Sequence, residues 1–124
     1  MTKSLLIVDD NPENLKLILM ILATGGYELV TAADALQALS AIEARMPDLI
    51  LLDLQLPGMD GLELTRRLRA TPATQSIPIV AVTAYAMKGD ESKARDAGCD
   101  GYLVKPIDKR LLRETVKQYL ESSV

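Results

Sequence analysis

The stretch Asp48-Leu49-Ile50-Leu51-Leu52-Asp53 decides the fold of this 124-residue chain. Its four consecutive aliphatic residues show no alternation with polar ones, which is typical of a strand covered on both faces in a parallel sheet. The turn dipeptides Pro57-Gly58 and Asp60-Gly61 follow. A helical pattern comes next. The stretch therefore predicts a buried strand, a polar loop ending at Gly61, and then a helix with Leu62, Leu64 and Leu68 as its apolar positions.

The same strand-then-helix unit recurs on either side of this stretch. The other predicted strands are Leu5 to Val8, Glu28 to Thr31, Ile77 to Val82 and Gly101 to Val104. Each is followed by apolar residues at helical spacing, with Asn11 and Asp108 as helix caps. The predicted inward positions of these helices are Leu15, Ile18, Leu19 and Leu22; Leu36, Leu39, Ile42 and Met46; Met87, Ala94 and Ala97; and Leu111, Leu112, Val116, Tyr119 and Leu120.

Five such units predict an α/β fold with a five-stranded parallel sheet and helices on both faces. Five strands are too few to close an eight-stranded barrel, so an open doubly wound sheet of flavodoxin-like order 2-1-3-4-5 is expected. The length predicts a single domain over residues 1–124. The fourth helix, about Met87 to Ala97, has few apolar anchors and is expected to be the most weakly held element.

Composition excludes several classes of function. The chain has no histidine, which removes histidine metal sites and histidine-based catalysis. A single cysteine, Cys99, allows neither an internal disulfide nor a thiolate zinc cluster. The net charge of −3 argues against nucleic-acid binding. The apolar run from Leu5 to Val8 is too short for a signal peptide, and no run is long enough to span a membrane, so we expect a cytoplasmic protein.

Polar residues follow four of the predicted strands. They are Asp9 and Asp10, then Asp53, Thr83 and Lys105. Ligands of open parallel sheets bind outside the carboxyl ends of the strands, so we expect these side chains to share one cleft. A single aspartate in such a place is more commonly a turn or cap residue. Four strand ends that carry a complementary set favour a functional site.

Three clustered carboxylates repel one another unless a cation neutralises them. Without histidine or thiolate ligands, an all-oxygen Mg²⁺ site is the natural solution, and Mn²⁺ could substitute. An aspartate beside Mg²⁺ and Lys105 can attack a phosphoryl group and become an aspartyl phosphate.

The sequence resembles the receiver domains of bacterial two-component response regulators along its whole length. The residues that carry the resemblance are Leu6-Ile7-Val8-Asp9-Asp10-Asn11, the stretch quoted first, Leu56-Pro57-Gly58-Met59-Asp60-Gly61, Val80-Ala81-Val82-Thr83-Ala84 and Gly101-Tyr102-Leu103-Val104-Lys105-Pro106. Residues 84–91 further resemble single-domain cell-division regulators of the DivK type.

The resemblance implies a role for each matching residue. Asp53 would be the phosphoacceptor, and Mg²⁺ would be bound by the side chains of Asp10 and Asp53 and the backbone carbonyl of Gln55. Asp9 would support the metal through water. Lys105 and Thr83 would each contact a phosphoryl oxygen, and Tyr102 would change rotamer with Thr83. The Lys105-Pro106 peptide bond would be cis.

It also implies partners. A histidine kinase or histidine phosphotransferase would donate the phosphoryl group, and a downstream protein would bind the surface of the fourth helix, fifth strand and fifth helix. The protein would be a monomeric switch that binds neither nucleic acid nor membrane. It would not be an enzyme, beyond autophosphotransfer and slow autodephosphorylation.

Two alternatives remain weaker. A phosphatase with an aspartyl phosphate intermediate usually has an acidic aspartate two residues after its nucleophile, where this chain has Gln55. A flavin or nucleotide carrier would need a glycine-rich phosphate loop after the first strand, where Asp9 and Asp10 stand.

Three further sets of residues can be interpreted as structural rather than functional. Tyr85 is either a surface-loop tyrosine or a shield that prolongs the life of the aspartyl phosphate. Cys99 is expected to be a small buried residue. Arg66, Arg67 and Arg69 are expected to form a solvated helix face.

Overall fold

The computed structural model describes residues 2–56, 58–84 and 89–121. The strands are β1 (Ser4–Val8), β2 (Glu28–Ala32), β3 (Leu49–Asp53), β4 (Ile79–Thr83) and β5 (Gly101–Val104). The helices are α1 (Pro12–Leu22), α2 (Ala35–Ala44), α3 (Gly61–Ala70), α4 (Asp90–Ala97) and α5 (Lys109–Glu121), with a 3₁₀ turn at Ala23–Gly25.

All strand pairs are parallel, and the sheet order is β2-β1-β3-β4-β5. This confirms the predicted fold class and strand order. β3 is central and buried at all five positions, as its unbroken apolar run predicts. β4 begins at Ile79, two residues later than predicted from the run that starts at Ile77.

The core forms two layers, one on each face of the sheet. One layer contains buried side chains of α2, α3 and α4, among them Ile42, Leu64 and Ala94. The other contains buried side chains of α1 and α5, among them Ile18 and Val116. Helices therefore cover both faces, as predicted.

Helix starts follow the local sequence. The Asn11 side chain accepts hydrogen bonds from the backbone N–H groups of Glu13 and Asn14, which confirms this cap. Asp108 accepts one from Leu111 N, which confirms the cap of α5. Gly89, which precedes α4, has no side chain to make such a bond.

Three predicted core residues are exposed, and those predictions were wrong. Leu36 is 72% exposed because the small residues Ala35 and Ala38, with Ile42, form the buried row of α2. Met46 lies beyond the end of α2 and is exposed.

Leu111 is also exposed, because it lies beside the buried row of α5, whose members were all predicted. That row consists of Leu112, Val116 and Leu120, which follow one another at four-residue spacing.

The start of α4 also differs from the prediction. The helix begins at Asp90, and Met87, its predicted first anchor, lies outside the described residues. The other two anchors, Ala94 and Ala97, are buried as predicted.

The three arginines of α3 do not share one environment. Arg66 and Arg67 are exposed, as predicted for a solvated face. Arg69 is not: only 20% of its side chain is exposed, and it bonds to residues of two neighbouring segments. It lies one position after the buried Leu68, at the edge of the face that α3 turns to the core.

None of the helices in the described part of the chain is long and apolar enough to cross a membrane.

Cys99 is buried, as predicted, and its Sγ lies 3.7 Å from Thr65 Oγ1. Burial raises the pKa of its thiol above the ordinary value, which lowers the fraction of reactive thiolate at neutral pH. We expect the native protein to react with a water-soluble disulfide reagent at least about tenfold more slowly than the chain unfolded in guanidinium. Absorbance of the released thiol gives both rates, and equal rates would contradict the placement of Cys99.

Candidate functional site

The sheet register brings two aspartates together at the carboxyl ends of β1 and β3. Val8 pairs with Leu52, so Asp9 and Asp53 follow at adjacent positions on neighbouring strands. Both side chains are buried, whereas that of Asp10 is exposed. One carboxylate oxygen from each of Asp9, Asp10 and Asp53 lies within 4.8 Å of the others. The predicted acidic cluster is therefore formed.

Lys105 joins this cluster from the end of β5. Its Nζ donates to Asp9 Oδ2 at 3.0 Å and to Asp53 Oδ2 at 3.2 Å. Its backbone N–H donates to Thr83 O at 2.8 Å, and the Lys105-Pro106 peptide bond is cis, as the resemblance implied. One ammonium group thus bridges the two buried carboxylates.

The second oxygen of each buried carboxylate accepts a backbone N–H group. Asn11 N donates to Asp9 Oδ1 at 2.9 Å, and Gln55 N donates to Asp53 Oδ1 at 3.0 Å. Both oxygens of each carboxylate are therefore engaged. These bonds hold the two side chains in defined orientations before any ligand arrives.

The electrostatics of the cluster are unbalanced. Burial raises the pKa of Asp53, the negative charge of Asp9 raises it further, and the Gln55 N–H and Lys105 only partly oppose this. For Lys105, burial alone would lower the pKa, but its hydrogen bonds and charge interactions with Asp9 and Asp53 outweigh burial, so the pKa is raised. The cluster holds the negatively charged form of Asp53 at a free-energy cost.

The residues present fit a divalent cation. The cluster brings three carboxyl groups together with a single ammonium group, so its acidic groups outnumber its basic group by two. The side-chain atoms that it offers to a metal are carboxylate oxygens. The exposed Asp10 leaves one side of the cluster open to water. Hard cations such as Mg²⁺ prefer such oxygen ligands and keep several waters.

Thr83 and Tyr102 lie on the neighbouring strands β4 and β5. Thr83 ends β4 and is buried, and Tyr102 is half-buried on β5. Both line a cavity of about 170 Å³ that Gln55 also borders. Burial raises the pKa of Tyr102, and the nearby charges of α4 raise it further. The structure thus places both predicted switch residues on one cavity, while Tyr85 lies outside the described residues.

Gly61, the first residue of α3, packs against the backbone of Asp53 itself. A Cβ at this position would lie 2.7 Å from Asp53 O and 2.6 Å from Leu54 Cα, so the backbone would have to shift. We expect Gly61→Ala to lower the free energy of unfolding by about 1–3 kcal/mol. Because the shift moves Asp53, the variant should also bind divalent metal more weakly.

Gly58→Ala is the matched control in the same loop. Gly58 has a φ of +78°, but a Cβ there meets nothing within 4 Å. Gly58→Ala should therefore lower the free energy of unfolding by about 1–2 kcal/mol through backbone strain, and it should not weaken metal binding. Urea unfolding and metal titration of both variants measure these effects. Equal metal affinities in the two variants would contradict the positioning effect of Gly61.

Comparison with known proteins identifies the family of this chain. The model of the response regulator receiver domain family matches residues 5–117. The polar-differentiation response regulator DivK of Brucella ovis is 46% identical over 120 residues, which are 97% of this chain and 98% of that protein. The similarity to DivK that residues 84–91 indicated therefore extends over nearly the whole chain.

Solved structures agree with this result. A CheY-like receiver domain protein from Methanospirillum hungatei is 34% identical with a TM-score of 0.89, covering 98% of this chain and 96% of its own. The receiver domain of a sensor histidine kinase from Pseudomonas aeruginosa is 35% identical with a TM-score of 0.88, and the match covers 98% of this chain and 99% of that one. That structure was solved with a magnesium ion coordinated in its active site cleft. By sequence, strand order and the placement of its acidic cluster, this chain belongs to the response regulator receiver domain family.

Proposed function

We propose that this chain is a stand-alone response regulator of a two-component phosphorelay, a single receiver domain over residues 1–124 that acts in the cytoplasm. Asp53 accepts a phosphoryl group from a partner's phosphohistidine in a Mg²⁺-dependent step. The observation that carries the proposal is the cluster of Asp9, Asp10 and Asp53, in which Lys105 bridges Asp9 and Asp53. The given sequence has no histidine and so contains no phosphohistidine donor of its own.

The chemistry follows from the geometry of Asp53. One oxygen of its carboxylate attacks phosphorus, and the bond between phosphorus and the donor's imidazole nitrogen breaks. The imidazole keeps the electron pair, and Asp53 becomes an acyl phosphate. Lys105 lies 3.2 Å from Asp53 Oδ2 and is placed to offset the charge of the arriving phosphoryl oxygens.

The metal would be held by Asp10, Asp53 and the backbone carbonyl of Gln55, with Asp9 acting through water. A bound Mg²⁺ supplies positive charge to the phosphoryl oxygens, and Mn²⁺ could do the same. The magnesium ion in the cleft of the Pseudomonas aeruginosa receiver domain supports this choice. The excess of acidic over basic groups in the cluster supports it independently.

The response involves Thr83 and Tyr102. A phosphoryl group brings a charge of about −1.5 to −2 to Asp53. The hydroxyl of Thr83 moves to one of its oxygens, and Tyr102 turns toward the space that Thr83 leaves. The two residues already border the same cavity. The surface of α4, β5 and α5 then changes, and a downstream protein that prefers the changed surface shifts the population toward it.

The family supports a signalling role rather than that of a classical enzyme. We propose a monomer that is phosphorylated by a histidine kinase or histidine phosphotransferase. Gln55 disfavours the phosphatase alternative, because it cannot donate a proton as an acidic aspartate would. Stoichiometric labelling supports the switch, whereas many turnovers of a phosphoester would support a phosphatase.

The test is incubation with Mg²⁺ and acetyl phosphate, followed by intact-mass analysis. The wild-type chain should gain one phosphoryl group, and Asp53→Asn should gain none. Asp96→Asn is the matched control, because Asp96 is an exposed aspartate of α4, remote in sequence from the acidic cluster. Labelling that survives Asp53→Asn, or that persists in excess chelator, would overturn the proposal.

A further inference from the structure

The guanidinium group of Arg69 ties the end of α3 to two other segments. Its Nε donates to Gly98 O at 2.9 Å, just after α4. Its Nη1 donates to Ile77 O at 2.7 Å and to Gln75 O at 3.2 Å, in the loop before β4. Arg69 therefore fixes the position of the residue that follows α4 relative to α3 and the sheet.

Asp100 completes this attachment. Its Oδ2 accepts from Arg69 Nη2 at 2.7 Å and from Ile79 N at 2.9 Å, and its own N–H donates to Ile79 O at 2.8 Å. Its backbone oxygen accepts from the hydroxyl of Tyr119 at 2.8 Å and from Arg95 Nη1 at 3.3 Å. The chain just after α4 is thus bonded to α3, β4, α4 and α5 at once.

Gly98 allows the Arg69 side chain to pack closely against the backbone that follows α4. Its φ of +117° lies in the left-handed region, and a Cβ there would lie 2.5 Å from Arg69 Cγ. The buried side chains of α4 are Ala94 and Ala97, both in its C-terminal half, and the buried Cys99 follows directly. Packing and hydrogen bonding therefore both hold the C-terminal end.

The N-terminal half of α4 is held differently. Between Asp90 and Lys93 no side chain is buried, and Gly89 contributes no side-chain cap. Asp90 and Lys93 border the cavity of about 170 Å³ that Thr83 and Tyr102 also line. This half of the helix therefore borders the same cavity as Thr83 and Tyr102, and Gln55 lines it too.

We propose that α4 turns about a pivot formed by Arg69, Gly98 and Asp100, so that its first turn moves and its last turn stays in place. This inference rests on the proposed function, because it takes phosphorylation of Asp53 as the event that moves α4. Under this arrangement, a change at Thr83 and Tyr102 displaces the N-terminal half of α4. The altered docking surface is then the region of Asp90 to Lys93 together with β5. Arg69 acts as a positioning residue, remote from the phosphoryl chemistry.

The test is amide hydrogen exchange of the full chain, resolved residue by residue by NMR. In the ligand-free protein, the amides of residues 93–95 should exchange at least about tenfold faster than those of residues 97–100. Arg69→Ala should raise exchange at Gly98, Cys99 and Asp100 by about tenfold or more. Arg67→Ala is the matched control on the same helix, because Arg67 is exposed, and it should leave this gradient unchanged.

Beryllofluoride with Mg²⁺ is a mimic of the bound phosphoryl group and supplies the signal. It should change exchange and chemical shifts in residues 89–94 and leave residues 97–100 protected. Asp100→Asn provides a second variant of similar size if Arg69→Ala does not fold, and it should loosen the same three amides. Uniform exchange along α4, or changes that are largest at residues 97–100, would overturn the pivot.

The outcomes separate this inference from the proposed function. One outcome is that beryllofluoride causes no change around Asp53 while the exchange gradient of the ligand-free protein and the effect of Arg69→Ala are both observed. That result would count against phosphoryl binding and would leave the pivot supported. A normal response around Asp53 with no gradient in α4 would overturn the pivot alone.

Discussion

Replacement of Lys105 by methionine is expected to slow phosphorylation of Asp53 by about 10²–10³ in saturating Mg²⁺. Removal of one preorganised group that stabilises developing charge has an effect of this size in other active sites. Here the ammonium group lies 3.2 Å from Asp53 Oδ2 and 3.0 Å from Asp9 Oδ2. Methionine keeps much of the side-chain volume but supplies no charge and no donor. The rate is measured by intact mass over time with acetyl phosphate.

Lys109→Met is the matched control for this variant. Lys109 is an exposed lysine at the start of α5, four residues after Lys105, and its loss should leave the phosphorylation rate unchanged. Circular dichroism in Mg²⁺ establishes that both variants fold. A Lys105→Met rate within a factor of about three of the wild-type rate would contradict the assigned role, because such a difference is only about 0.6 kcal/mol of activation free energy.

The second large effect concerns metal and stability. We expect Mg²⁺ at about one hundred times its dissociation constant to raise the free energy of unfolding by about 2.7 kcal/mol, because only the folded chain assembles the carboxylate cluster. Asp10→Ala should lose most of this gain. Asp10 is exposed, so its removal should change the metal-free stability by no more than about 0.5 kcal/mol.

Urea unfolding with Mg²⁺ and with chelator measures this effect. Asp96→Ala is the control, since it removes an exposed aspartate from α4 and should keep the full stabilisation. Equal stabilisation of the wild type and Asp10→Ala by Mg²⁺ would show that the ion binds somewhere other than the predicted cluster.

The strand arrangement was predictable because the parallel sheet leaves a strong pattern. The continuous run from Leu49 to Leu52 has no polar face, and it is buried at every position. Each such run ends in a polar residue, and the predicted order 2-1-3-4-5 places the ends of β1 and β3 side by side. The meeting of Asp9 and Asp53 follows from those two facts alone.

The buried faces of the helices were less predictable, because in α2 the larger apolar side chains are not the more buried ones. Alanines at 35 and 38 pack closely on the sheet, while the larger Leu36 points to solvent. A search for large apolar residues at helical spacing therefore found Ile42 correctly but selected the exposed Leu36 and missed the two alanines. In α5 the buried row of Leu112, Val116 and Leu120 was predicted correctly, and only the neighbouring Leu111 was added to it wrongly.

The bonds around the site needed coordinates. The sequence places Lys105 at the correct edge of the sheet, but its simultaneous bonds to Asp9 and Asp53 depend on side-chain orientation. Arg69 was assigned to a solvated face because its neighbours Arg66 and Arg67 are charged. A usable signal was its position four residues after the buried Thr65, at the edge of the core-facing row.

The most direct measurement is the position of the phosphoryl group. The chain is treated with acetyl phosphate and Mg²⁺, and borohydride then reduces any acyl phosphate to an alcohol, which converts a phosphorylated aspartate into homoserine. Trypsin releases residues 46–66 as one peptide that holds Asp48, Asp53 and Asp60, and fragmentation distinguishes the three. The account predicts homoserine at position 53 alone, and only when both Mg²⁺ and donor are present. Reduction at another aspartate, or none at position 53, would contradict it.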